Sequence, residues 1–245
     1  MSKPTPSAKK IIDFLNCPCT YFPAGKSRKH ITAAYEDAFG KRNIEGFVPV
    51  IVVVDDILAE QLDYYQNNYA DGENGYNNII AGAEHTDAVK WFKEQLTKLK
   101  AEFGESWEDS VIGEMEYGEP NNYFRSFMDF QDKKSKECIL AKIPVDKPWE
   151  VLARLPFGGW NECPDPETMV SVAKYWYERY GVIPAVISHD TLELAARPIP
   201  DKGAAMGAAL EHLAFCQDVI FQGYGTLGSL ADSITGSFVW YFWWD

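Results

Sequence analysis

The sequence predicts an α/β (or α+β) protein: a mixed β-sheet with helices packed on it, and a C-terminal aromatic strand central in the sheet. Three observations carry this. Residues 47–54 form a continuous β-branched run, the signature of a strand buried on both faces. Stretches with helical spacing of apolar residues alternate with short apolar runs, as in layered folds. The chain closes on residues 238–244, where Phe238, Trp240, Tyr241, Phe242, Trp243 and Trp244 make both faces of a strand apolar. Such a strand is expected in the middle of the sheet, covered on each side.

The elements follow in order. Pro4, Pro6, Pro18, Pro23 and Gly25 mark residues 1–28 as an irregular arm with a short helix near 7–16, and a second helix follows near 30–42. After the 47–54 strand, Asp55 or Asp56 can cap a helix carrying Leu58, Gln61, Leu62 and Tyr65. Residues 66–84 are rich in Asn and Gly and read as loop. Ala88, Phe92, Leu96, Leu99 and Phe103 then make one helical stripe, stopped by Gly104. Residues 104–136 show no period.

Beyond that gap, 138–143 reads as a strand and 150–155 as another. Asp165-Pro166-Glu167 supplies an N-cap, a proline in the first turn and an early acid; Gly181 sits where a left-handed terminus belongs. Residues 184–189 are the next strand. Asp201 opens a helix with Met206, Ala209, Leu210 and Leu213 on its stripe. Residues 219–221 read as a short strand, and Thr226 caps a helix ended by Gly236.

The patternless stretch suggests two regions: an acidic N-terminal α/β region over 1–136 and a C-terminal domain over 137–245, with the first extending or packing on the sheet of the second. There is one internal echo. Gly46-Phe47-Val48-Pro49-Val50-Ile51 followed by Asp55 aligns with Gly181-Val182-Ile183-Pro184-Ala185-Val186 followed by Asp190. It is either a duplicated helix–turn–strand unit or two connections built alike.

Charge and cysteine usage bound the function. The 245-residue chain carries 23 Lys and Arg against 36 Asp and Glu, a net charge of −13. That argues against nucleic acid and anionic membrane surfaces as partners, since both need a basic footprint. Residues 60–119 hold ten of those thirteen net charges; they form either a solvated surface or a patch that steers a basic protein partner. No apolar run approaches the roughly 20 residues of a spanning helix. Five cysteines without disulfide-like spacing fit a reducing, cytoplasmic setting.

The C-terminal half carries longer distinctive strings: Pro148-Trp149-Glu150-Val151-Leu152-Ala153, Leu155-Pro156-Phe157-Gly158-Gly159-Trp160-Asn161-Glu162-Cys163-Pro164, Ile187-Ser188-His189-Asp190-Thr191-Leu192-Glu193, Phe215-Cys216-Gln217-Asp218, Gln222-Gly223 and the closing Trp240-Tyr241-Phe242-Trp243-Trp244-Asp245. Over residues 137–245 the chain resembles a bacterial family, domain of unknown function 4253. The resemblance implies a bacterial, intracellular protein and no particular activity. Gln217 departs from it, standing where the family pattern has proline.

Several groups are candidates for chemistry. Cys163, just before a helix N-terminus and after a diglycine turn, is a candidate nucleophile with His189 or His212 as base; the alternative is a small buried core residue. Cys163, His189, His212 and Cys216 are zinc-ligand types, but scattered, and no metal or cofactor is assigned. In a strand, Ser188 and Asp190 point away from His189, so those three would form no triad. Asp190 and Glu193 are a candidate carboxylate pair at a strand end. Gly223, Gly225 and Gly228 match a nucleotide-binding glycine pattern after a short strand, although Thr226 as an N-cap explains the segment without a ligand. The favoured reading is a non-catalytic binding or interaction protein, possibly immunity-like, that engages a basic partner. The alternatives are a hydrolase-like enzyme using Cys163, His189, Asp190 and Glu193, and nucleotide binding at the glycine turn.

Overall fold

A computed structural model describes residues 3–68, 72–131 and 133–245. Six strands form one mixed sheet: β1 (Cys19–Phe22), β2 (Val48–Val53), β3 (Cys138–Ile143), β4 (Ile183–Ile187), β5 (Thr191–Ala195) and β6 (Val239–Trp243), in the order β1-β3-β2-β4-β5-β6. Only β2 and β4 run parallel; every other junction is antiparallel. Two strands, β1 and β2, come from before residue 137, and β2 is bonded on both sides by strands from after it.

Every residue of β2 is buried, and its side chains alternate between two cores. Val48, Val50 and Val52 enter the larger core; Ile51 and Val53 enter the smaller one. Helices α1 (Pro6–Leu15), α3 (Asp56–Asn68), α4 (Gly72–His85), α5 (Ala88–Phe103), α6 (Val151–Arg154), α7 (Pro166–Tyr180), α8 (Lys202–Phe215) and α9 (Leu227–Ile234) contribute to the larger core. The smaller core is closed by α2 (Arg28–Glu45), through Ile31, Tyr35 and Ala38, and by Phe127 and Met128. The caps follow the side-chain chemistry: Asp87, Asp165, Asp201 and Thr226 each accept a backbone N–H in the first turn of the helix they precede.

The structure corrects several expectations. The closing aromatic strand β6 lies at the sheet edge, paired only with β5. One of its faces is buried, with Trp240 and Phe242 packed around Trp176, His212 and Phe215. On the other face Tyr241 is 38% exposed. Aromatic density therefore marks a large helix-covered face, not a central position.

The stretch read as loop over 66–84 ends α3 and then forms α4; positions 69–71 lie outside the described residues. Ile79 and Ala83 are buried, so tertiary packing overrides the weak local propensity of the Asn and Gly residues. Residues 150–155, expected as strand, contain the short helix α6, and 219–221 fall in a wide helical turn, Val219–Tyr224. A three-residue apolar run has no period by which to tell strand from helix. Strand β4 stops at Ile187, so Ser188, His189 and Asp190 belong to the tight turn into β5.

Candidate functional site

A cavity of about 1100 Å³ opens on the helical side of the sheet. Its walls are the end of α1, the outer faces of α3 and α4, α6, the loop 156–160 and the start of α7. Phe14, Tyr64, Tyr65, Tyr76 and Trp160 give it an aromatic lining, and Glu60, Asp165 and Glu167 bring carboxylates. Among the described residues Arg154 is the one cation of the wall, and its guanidinium lies 3.8 Å from the centre of the Tyr76 ring. Burial and the neighbouring Glu150 carboxylate push the Tyr76 hydroxyl up to about 12, so it stays a neutral phenol near neutral pH.

The loop that walls the cavity takes its shape from local backbone constraints. Gly158 and Gly159 have φ of +98° and +79°, and Asn161 has +46°, values that glycine and asparagine tolerate best. A Cβ on Gly158 would overlap the Pro164 carbonyl oxygen. The Gly159 N–H donates to that oxygen at 2.9 Å, and the Cys163 N–H donates to the Trp160 carbonyl at 2.9 Å. The loop is also tied to the chain end: Asn161 Nδ2 donates to the Asp245 carbonyl at 2.9 Å, and the Phe157 and Trp244 rings are 6.0 Å apart.

A second polar cluster sits at the C-terminal ends of the parallel strands β2 and β4. His189 Nδ1 is 2.9 Å from Asp55 Oδ2, and its Nε2 is 3.5 Å from Asp190 Oδ2. Asp55 also caps α3, its Oδ1 accepting the Leu58 N–H at 2.7 Å. Asp190 accepts from Ser188 Oγ at 2.6 Å, Thr191 Oγ1 at 2.9 Å and Trp243 Nε1 at 3.1 Å. Burial alone would raise the Asp190 pKa; the hydrogen bond from Ser188, His189 beside it and the other donors outweigh that and hold it below the usual carboxylate range. The hydroxyl of Ser188 points at Asp190 rather than at the imidazole, so it has no activating base.

The sequence candidates thus separate. His189 and Asp190 come together, joined by Asp55. Cys163 is buried under the diglycine turn, and burial pushes its thiol far above the usual range, with Cys216 nearby adding to it; it is a core thiol rather than a nucleophile. Glu193 is fully buried on the opposite face of the sheet, where it accepts the backbone N–H groups of Arg125 at 2.9 Å and Ser126 at 3.4 Å. It makes no pair with Asp190, whose oxygens accept from Ser188, Thr191 and Trp243.

His212 is packed against Trp176, Trp240 and Phe242, with Nδ1 on the Ala208 carbonyl at 2.7 Å, and burial drops its pKa to about 3. Cys216 Sγ donates to the Trp243 carbonyl. Among the described residues no group of three or more His, Cys, Asp or Glu is arranged to hold a metal ion.

The glycine turn is also a packing device. No strand precedes Gly223, and Gly225 takes φ +78° to leave the wide turn. Gly228 lies so close to the backbone of Gly113 and Glu114 that a Cβ would collide with the Glu114 carbonyl. The first turn of α9 is therefore met by protein backbone where a phosphate would have to approach.

Sequence reasoning missed the functional potential of Asp55, Glu60, Tyr76 and Arg154. The signal for Asp55 was the echo that aligned it with Asp190. For the others nothing local exists, because the cavity gathers side chains from widely separated segments.

The fold and cavity define an α/β protein with an aromatic, carboxylate-bearing pocket beside one open sheet. Its C-terminal part, residues 139–245, matches the family described as "Domain of unknown function (DUF4253)". The matched stretch supplies β3 to β6, the cavity loop and the chain end to which that loop is tied; β2, from outside it, lies between β3 and β4. No curated protein and no solved structure matches the chain. Among the described residues no helix is long and apolar enough to cross a membrane.

Proposed function

We propose that the protein is a non-catalytic binding protein whose cavity takes up a lysine- or arginine-bearing segment of a basic protein partner. The observation that carries this is the lining: among the described residues, five aromatic rings and three carboxylates against one cation, which is already stacked on a tyrosine. Aromatic faces and carboxylates together suit a partly desolvated cation. The volume of about 1100 Å³, just above the roughly 300–1,000 Å³ of small-molecule pockets, leaves room for more than one side chain. The net charge of −13 adds long-range attraction for such a partner and speeds its encounter.

The test is a titration with an arginine- and lysine-rich peptide, followed by tryptophan fluorescence and calorimetry, beside a glutamate-rich peptide of equal length. Saturable binding of the basic peptide alone is expected, weakening with salt and weakened about tenfold when Glu60→Gln and Trp160→Ala are combined. Equal binding of both peptides, or of neither, overturns the reading.

A second reading, hydrolytic chemistry at a polar site, is favoured by one observation: His189 is oriented through Nδ1 by Asp55, the arrangement of a general base and its positioning carboxylate. It is supported if ester or amide substrates are turned over and His189→Ala abolishes turnover.

A further inference from the structure

We propose that the hairpin at 127–136, together with the start of α2, is a peripheral docking surface for an anionic lipid bilayer, with Phe130 as the side chain that enters it. The inference stands independently of the cavity's ligand.

The hairpin is tied down at its base and along its length. The Met128–Ser135 bridge closes it, the Lys136 N–H donates to the Phe127 carbonyl at 2.8 Å, and the Asp129 N–H donates to the Lys134 carbonyl at 2.8 Å. Phe127 and Met128 are buried in the smaller core, and the N–H groups of Arg125 and Ser126 just before them donate to Glu193. Ser135 joins the hairpin to the approach to α2. Its carbonyl accepts the Gly25 N–H at 2.8 Å, its N–H donates to the Lys26 carbonyl at 2.9 Å, and its Oγ accepts the Lys26 N–H at 3.0 Å. Ser135 is buried, while Lys134 and Lys136 on either side of it are exposed.

Positive charge gathers on this surface. Residues 25–30 and 123–136 hold seven Lys and Arg against two Asp, in a chain whose net charge is −13. Lys26, Lys29, Arg125, Lys133, Lys134 and Lys136 are exposed. Among the described residues no carboxylate pairs with Lys26, Lys29, Lys134 or Lys136. Asp129 turns one oxygen back to the Lys133 N–H at 2.8 Å, and Glu137, next along the chain, accepts from Thr5, the cap of α1. The whole-chain charge argues against an anionic surface only where the acids and the lysines meet it together. Salt screens charges beyond about 8 Å at physiological ionic strength, and helices α3, α4 and α5 pack on the other face of the sheet.

At the tip stands Phe130, 105% exposed. Single exposed apolar side chains are ordinary. This one is a large ring on a turn flanked by cations, and an apolar group combined with a basic patch anchors a protein reversibly, the ring at the acyl boundary and the lysines among the headgroups. Single-stranded nucleic acid needs several rings set along a basic groove; a projecting tip offers one. Docked in this way, the protein turns its cavity, on the opposite face of the sheet, toward the solution.

The experiment sediments the full-length protein with vesicles of phosphatidylcholine alone and with vesicles in which about one-third is phosphatidylserine. Binding to the anionic vesicles alone is expected, reversed by high salt. Phe130→Ala should weaken it about tenfold, whereas Phe130→Leu, still apolar, should stay near wild type. Lys134→Gln combined with Lys136→Gln should weaken it about thirtyfold. Ile44→Ala, at an exposed apolar residue near the far end of α2, should bind like wild type. All four positions are exposed, and circular dichroism checks that the variants fold. Equal binding to both kinds of vesicle, binding to neither, full binding by Phe130→Ala, or a preference for polyuridine RNA over the anionic vesicles would overturn the proposal.

Discussion

Ile51 pairs with Val186 across the parallel junction of β2 and β4. This is the register in which the sequence echo aligned them, with Asp55 matched to Asp190. The strand faces agree at this pair and the next, with Ile51 and Val186 entering the smaller core and Val52 and Ile187 the larger; one step earlier they part, Val50 entering the larger core and Ala185 the smaller, at the irregularity in β4. Both strands follow a helix closed by a glycine at φ +70°, Gly46 and Gly181. The helices themselves do not correspond, since α2 packs into the smaller core and α7 into the larger. What is repeated is the turn, the strand and the aspartate beyond it, and the two aspartates meet at His189.

His189 bridges the end of β2 to the turn after β4, and its loss should loosen that junction. His189→Ala removes a hydrogen bond to Asp55 but leaves Asp55 its helix cap and Asp190 its three donors. A loss of about 1–2 kcal/mol is expected at neutral pH, read by urea denaturation. Asp190→Asn has a pH signature. Its folded pKa is depressed, so its contribution is full above the unfolded value of about 3.9 and lost as pH falls through the folded one. The gap between wild type and Asp190→Asn should therefore narrow below about pH 4. A gap that stays constant from pH 7 to pH 3 would mean that the carboxylate charge contributes nothing.

Glu193 gives the opposite sign. Burial raises its pKa from 4.5 to about 7, although the Arg125 and Ser126 N–H groups favour the ionised form. Between those two values the unfolded chain has released the proton and the folded chain keeps it, so stability falls as pH rises through that window and levels off above it. The span corresponds to about 3 kcal/mol at most. Glu193→Gln keeps an acceptor for the Arg125 N–H and removes the charge. It should abolish this slope and melt higher than wild type at pH 8, by differential scanning calorimetry. A variant less stable than wild type at pH 8 would show that the ionised carboxylate is well accommodated.

How far the sequence discloses this molecule depends on whether a signal is local. The run around Val50 reads as a two-faced strand because every side chain there is apolar, and Asp165-Pro166-Glu167 reads as a helix start because capping needs only four residues. Strand β5 is hidden, since the charged Glu193 sits at a buried position and a tight turn precedes it. The edge position of β6 is hidden for a different reason: apolar content on both faces says how much surface is covered, while the strand's neighbours are decided by residues far away. The site behaves likewise. Trp160 and Asn161 stand out as a string, but Glu60, Tyr76 and Arg154 acquire meaning only when α3, α4 and α6 converge.

The diglycine turn offers a paired test of backbone against space. Both residues have positive φ, so an alanine at either is strained by about 1 kcal/mol. Only Gly158 adds a collision, with the Pro164 carbonyl; at Gly159 the nearest atom to a new Cβ is Asp165 Cα at 4.0 Å. Gly158→Ala should therefore cost about 2–4 kcal/mol and Gly159→Ala about 1 kcal/mol in urea unfolding. Similar costs would mean that the loop shifts freely, and the cavity wall would then be a soft one.

Strand β6 supplies the sharpest test of its own placement. Phe242 is fully buried, stacked on Trp176 at 5.3 Å and edge-on to Phe215 at 5.0 Å; Tyr241, its neighbour, faces away and is 38% exposed. Truncating a buried phenylalanine leaves a cavity as well as lost transfer energy, so Phe242→Ala should cost about 3–5 kcal/mol. Tyr241→Ala, on the half-open face of an edge strand, should cost about 1 kcal/mol or less. A strand covered on both sides would make the two losses comparable. The ratio of the two values, measured by urea denaturation at one pH, therefore reports whether one face of this strand or both faces belong to the core.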